Sequence, residues 1–196
     1  MATAASWASV VVALIVGAAG FFVALNVGKD FRLRLAERRL AAYERLWALM
    51  RPASPYSEPL NEEGRRRLYD SFTDWYFCNG DGILLDRSSR PLYFGAKDNL
   101  VCQVENLTPK KSRQRLEQLD GADLERQRGL LVQRQLSMLR AKLRADLTVY
   151  GQPYGHRLDD EDREFLEHYG VDIHRKPWGE EIDEAESSAH SLQDST

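Results

Sequence analysis

DLERQRGLLVQRQLSMLRAKLRADLTVY, residues 123–150, is the longest periodic stretch of this chain beyond its N-terminal segment. Val132, Leu136, Leu139, Leu143, Leu147 and Tyr150 succeed one another at intervals of four, three, four, four and three. That spacing keeps apolar side chains on one side of an α-helix. A half-buried strand would alternate every second residue, and no alternating run of useful length occurs in the sequence. The reading is all-α, with Gly151 closing this helix.

The flanking segments follow the same rule. Upstream, KKSRQRLEQLD (110–120) reads as a short basic helix, set off by Gly121. Before it, SRPLYFGAKDNLVCQV (89–104) reads as a helix with Asp86 or Ser88 as its cap and Pro91 in the first turn, where a missing N–H does little harm. Leu92, Ala96, Leu100 and Val104 mark its inner side. GRRRLYDSFTDWYF (64–77) is another helix, with Asn61 as N-cap and Glu62 and Glu63 favoured by the helix dipole. It should stop at Asn79-Gly80-Asp81-Gly82, where two glycines flank an aspartate in a turn signature. Ile83, Leu84 and Leu85 fit either a helical turn or an extended link. Pro52, Pro55 and Pro59 make an extended loop further upstream. Downstream, Asp159 to Tyr169 forms a last short helix with an acidic start and Gly170 at its end. The remaining sequence, residues 179–196, is acidic, serine-rich and poor in large apolar residues, so it reads as a disordered tail.

The first 28 residues contain no charged side chain, and Trp7 to Val27 is almost wholly apolar. As a helix these 21 residues reach roughly 30 Å, the thickness of a bilayer's hydrocarbon core. A cleaved signal would need a positive n-region, which is absent. Lys29, Arg32, Arg34, Arg38 and Arg39 outnumber Asp30 and Glu37 just beyond the run. By the positive-inside rule the N-terminus lies outside and the remainder in the cytoplasm. The expected domains are a transmembrane anchor (1–28), a cytoplasmic α-helical domain (29–178) and the tail (179–196), in an inner-membrane, single-pass arrangement. Ala13, Gly17, Gly20 and Ala24 draw a small-residue stripe along the span. Such stripes let a second helix approach closely, so homodimerisation through this face is one expectation and common Ala/Gly usage the other.

From Lys29 to Arg51 nothing breaks a helix, and Leu33, Ala36, Leu40, Tyr43, Trp47 and Met50 recur at three and four. This stripe is expected to pack on the rest of the domain, with dimerisation second, because so few heptads do not sustain a coiled coil alone. The arginines beside it can meet anionic headgroups, which makes membrane lipids an expected partner.

The chain has 196 residues, 43% hydrophobic and 29% charged, which suits one globular domain plus an appendage. Its net charge of −3 conceals a split, with 24 Lys/Arg against 17 Asp/Glu in residues 1–157 and 3 against 13 in residues 158–196. Arginines cluster at 65–67, 110–115 and 126–144, and such a face could be lipid-facing or simply solvated. Interleaved acids and a pI near 5.9 argue against nucleic acid. The two cysteines, Cys78 and Cys102, lack metal-ligand or disulfide spacing. Catalysis by Cys78 would need a base, and all four histidines lie in the last 41 residues. A site from His156, His168, Asp172 and His174 lacks HExxH spacing, and Asn79, Asp81 and Asp86 do not make an EF-hand. No Walker A loop, GxGxxG, GxSxG or kinase signature is present. The expectation is therefore no cofactor and no catalysis.

The succession ERRLAAYERLWALM, LYDSFTDWYFCNGDGILLDRSSRPLYFGAKDNL and RQLSMLRAKLRADLTVYG resembles uncharacterised bacterial single-pass membrane proteins with a small helical cytoplasmic domain. The resemblance spans about residues 37–151. It implies a tethered all-α fold and carries no activity. The functional expectation is a scaffold, adaptor or regulatory module with an unknown protein partner. The alternative is a tethered enzyme or small-ligand domain with a pocket near residues 75–98, lined by Trp75, Tyr76, Asp81, Lys97 and Asp98.

Overall fold

The structure is a computed structural model that describes residues 29–54, 56–147, 158–174 and 177–178. The described residues are helical or irregular, with no strand among them. The chain divides into two compact units, Met1–Ala41 and Ala42–Thr196. Residues 29–41, which the sequence groups with the cytoplasmic domain, thus fall in the first unit. The expected span at 7–27, its stripe of Ala13, Gly17, Gly20 and Ala24, and the acidic tail lie outside the described residues. Among the described residues no helix is long and apolar enough to cross a membrane.

In the first unit, residues 29–41 are helical and belong to α1 (residues 29–49). Here Phe31, Leu33, Leu35 and Leu40 are 68%, 62%, 45% and 40% exposed.

The second unit opens on the last turns of α1, where Ala42, Tyr43, Leu46 and Met50 are buried. The stripe expected to pack whole is therefore split: Tyr43 and Met50 turn inward, and Trp47 remains 39% exposed beneath the Arg144 guanidinium, 5.7 Å from its ring. A core-facing helix buries a face broader than the narrow seam of a coiled coil, and Ala42 and Leu46 supply the added width. Helices α2 (Glu62–Thr73), α3 (Arg90–Val101), α4 (Lys110–Leu116), α5 (Gly121–Leu147) and α6 (Asp160–His168) complete the bundle. One main core joins Phe72 and Trp75, Leu92, Tyr93 and Leu100, Leu136 and Leu139, and Phe165 and Leu166. A smaller cluster of Leu107, Leu116 and Leu131 seats α4.

The ends of these helices follow from their residues. Asn61 accepts the Gly64 N–H at 2.9 Å, as its N-cap position requires. Asp159 and Asp162 form a reciprocal capping box at the start of α6. Its C-terminus closes on Gly170, with Val171 N–H donating to the Leu166 carbonyl at 2.8 Å and Gly170 N–H to Glu167 at 2.9 Å, the paired bonds of a Schellman motif.

The corner between α2 and α3 departs from the simple stop that its glycines suggest. After α2, Asp74–Cys78 continues as one π-helical turn, closed by the Asn79 N–H on the Asp74 carbonyl at 2.9 Å. Gly80 then takes φ +71°, a conformation that side chains disfavour. Asp81–Leu84 forms a 3-10 turn, so the undecided apolar run begins as a helical turn. The N-cap of α3 is Ser89, and Asp86 instead accepts the N–H and hydroxyl of Ser88 at 2.8 and 2.6 Å.

Candidate functional site

The corner is filled by rings. Trp75 is buried, and its indole N–H donates to the Ala42 carbonyl of α1 at 3.0 Å. Tyr93 lies with its centroid 5.4 Å from Phe72, 5.5 Å from Trp75 and 5.3 Å from Tyr76. Phe94 approaches Tyr76 at 4.9 Å. The Tyr93 hydroxyl donates to the Phe72 carbonyl at 2.6 Å, and burial pushes its pKa well above the ordinary phenol range. Gly82 lies directly against Tyr76: a Cβ there would stand 2.5 Å from the ring. The second glycine of the turn is thus required by close approach, and the first by its backbone angle.

The polar residues expected to line a pocket do not converge on one. Buried Asp81 accepts two bonds from Arg45 of α1, at 2.8 Å from Nε and 2.7 Å from Nη2. Its bonding is neither within the turn nor outward. Lys97 is buried with its ammonium 4.1 Å above the Tyr69 ring, a cation–π contact. Asp98 is exposed. The surface does contain a depression of about 480 Å³, but Asn61, Glu62, Glu63, Arg66 and Glu125 line it, away from the aromatic corner. Cys78 is exposed, and its hydrogen bond to the Asp74 carboxylate, 3.5 Å long, raises its pKa. Burial raises that of Cys102. Both shifts disfavour the reactive thiolate.

The arginine-rich helices of the bundle turn much of their charge to structural use. Arg65 is 1% exposed, donates to the Leu60 carbonyl at 3.1 Å and grips Glu125 at 3.0 and 3.1 Å. The bond from Arg65 holds the Glu125 carboxyl below its usual range. Arg128 reaches the Cys102 carbonyl at 2.6 Å, and burial lowers its pKa. Arg140 donates to the carbonyls of Met50 and Ala53, capping the end of α1. Arg134 meets Asp159 and Asp162, and Arg115 meets Glu161, so α6 is fastened to α4 and α5 by charge. The basic clusters seen in the sequence are thereby divided: Arg65, Arg128, Arg134 and Arg140 take partners within the bundle, and Arg66, Arg67, Arg126 and Arg144 stay exposed.

Two polar nodes gave no sequence signal. Asp146 accepts from Lys142 at 2.8 Å, from Tyr43 at 3.4 Å and from the buried Ser89 hydroxyl, tying α1, the start of α3 and α5 together. Asn99 and Gln135 both donate to the Thr108 carbonyl, at 2.6 and 3.0 Å. Neither node could be found by spacing, because its members are brought together only by the tertiary fold.

Among the described residues no group of His, Cys, Asp and Glu is placed to hold a metal ion. His168 and His174 are exposed, and His156 lies outside the described residues.

The arginines of residues 29–41 differ from those of the bundle. Lys29, Arg32, Arg34 and Arg38 are exposed, and no carboxylate among the described residues pairs with them. Arg39 is half-buried. No protein-family model, curated protein or solved structure matches the chain.

Proposed function

We propose that the chain is a membrane-anchored helical module of the inner membrane that acts through interaction, as a scaffold, adaptor or regulatory subunit, rather than by catalysis. Residues 7–27 form its span, the N-terminus lies outside and the bundle lies in the cytoplasm. The observation that carries this reading is the contrast between a filled aromatic corner and the residues after the apolar run. There, cations and Phe31, Leu33, Leu35 and Leu40 stand exposed together. Exposed cations beside a bilayer favour anionic lipid by about 1 kcal/mol each near the surface. Exposed apolar side chains that cluster mark interaction surfaces, and helical spacing groups Phe31 with Leu35 and Leu33 with Leu40 along this segment.

Crosslinking in native membranes, followed by identification of what is captured, tests the proposal. A reproducible protein partner attached through residues 29–41 supports it. Capture of nothing, together with a purified chain that turns over or retains a small molecule, would replace it with the tethered-enzyme reading.

A further inference from the structure

We infer that residues 29–41 pair in parallel with the same segment of a second copy, through a short seam of Leu33, Ala36 and Leu40. This rests on the membrane-anchored reading above and names one partner for its exposed segment.

Three observations converge on a second copy. Leu33, Ala36 and Leu40 stand at the a, d and a positions of a heptad and are all exposed, with Leu33 at 62% and Leu40 at 40%. The charges flanking that seam are self-complementary. In a parallel pair, a g residue faces the e residue five positions on in its partner. Arg32 at g then faces Glu37 of the partner subunit, a pair opposite in charge. Arg32 and Glu37 are exposed and have no ion-pair partner among the described residues. Finally, an apolar run of 21 residues ends just before Lys29. Two chains anchored by that run enter the cytoplasm at one level and in one direction, which fixes the parallel register.

The seam is short for a reason. The next two d positions, Tyr43 and Met50, are 2% and 0% exposed within the bundle, so the seam ends at Leu40. Fewer than two heptads are too few to hold two chains in free solution. Anchoring in one membrane raises the local concentration and makes pairing effectively intramolecular. The small-residue stripe of the span lies elsewhere on the heptad wheel. Counted in the same register, Ala13 and Gly20 fall at b, and Gly17 and Ala24 at f. Pairing through that stripe would bring Phe31, Arg34 and Arg38 to the interface, and pairing through the seam would turn them outward.

The test uses the full chain in native membranes, in a Cys78→Ser/Cys102→Ser background. Single cysteines replace Leu33, Ala36 or Leu40, or the outward Phe31, Arg34 or Arg38, and dimers are read on non-reducing gels after mild oxidation. Disulfide-linked dimer should exceed that at the outward positions by roughly an order of magnitude, as heptad packing dictates. Arg32→Glu should cut the Leu33→Cys dimer several-fold, and adding Glu37→Arg should restore it by reinstating opposite charges. Crosslinking without this phase, stronger crosslinking at the outward positions, or no rescue by the charge swap overturns the inference. Failure with the chain in the membrane fraction sinks the pairing alone. Recovery of the chain in the soluble fraction sinks both the pairing and the anchor.

Discussion

Residues 29–41 and helix α5 are built from the same residue types, leucine and arginine at close intervals, yet they meet opposite fates. In α5, Leu136, Leu139 and Leu143 are no more than 1% exposed, and Arg128, Arg134 and Arg140 each reach a backbone carbonyl or a carboxylate. In residues 29–41, Leu33 and Leu40 face outward, and Arg32, Arg34 and Arg38 are exposed. Arginine content alone therefore says little about a binding face. What distinguishes the two regions is whether the fold supplies partners: in α5 it does, and in the earlier segment the charge and much of the apolar surface stay exposed.

The comparison predicts unequal losses. Leu46→Ala, at a fully buried position, should lower the unfolding free energy by about 2–5 kcal/mol. Leu33→Ala should stay within about 0.5 kcal/mol. Denaturant titration of both variants checks this, and comparable losses would break the distinction between the regions. Arg65→Met comes next. It strips Glu125 and the Leu60 carbonyl of their donor, at about 2–3 kcal/mol, below the 3–5 of a fully buried pair because Glu125 keeps some solvent. Arg34→Gln should be neutral in the same titration.

The Arg45–Asp81 bridge sharpens the comparison within the bundle. The carboxylate side chain is 8% exposed and the guanidinium 54%, so removing either partner strands a different group. Arg45→Met leaves a buried anion without its donor, whereas Asp81→Asn leaves a cation that simply returns to water. Thermal unfolding should show the larger drop for Arg45→Met.

The smallest effect is on the acid side. Because the Arg65 bond depresses the folded pKa of Glu125, its contribution is present above the unfolded value of about 4.3. It is lost as the pH falls through the lower, folded value. Glu125→Gln should therefore flatten the acid limb of the stability profile, and an unchanged limb would show that this carboxylate is not among the groups that set it.

Much of the architecture was legible in the sequence. The Asn61 cap, the acidic start of α6 and its closing glycine, and the inner side of α5 all depend on neighbours within a few residues, which spacing can report. The stripe of α1 is only partly legible, since its heptad period does not reveal where the bundle begins to claim one side of the helix. The glycines of the corner announce its turn, but the role of Asp81 depends on Arg45, 36 residues away. The Asp146 and Asn99–Gln135 nodes were silent for the same reason. The charge clusters divide: Arg66, Arg67, Arg126 and Arg144 are the exposed cations that a linear reading expects, whereas Arg65, Arg128 and Arg140 are drawn inside by carbonyls and carboxylates from other elements.

The central claim is that the segment after the apolar run stands at a membrane and the bundle hangs from it. Alkaline carbonate extraction of membranes from cells producing the full chain tests that claim most directly, beside a chain lacking residues 7–27. The account predicts that the full chain stays in the membrane pellet and that the shortened one is released with an unchanged unfolding midpoint. Release of the full chain by carbonate would contradict it.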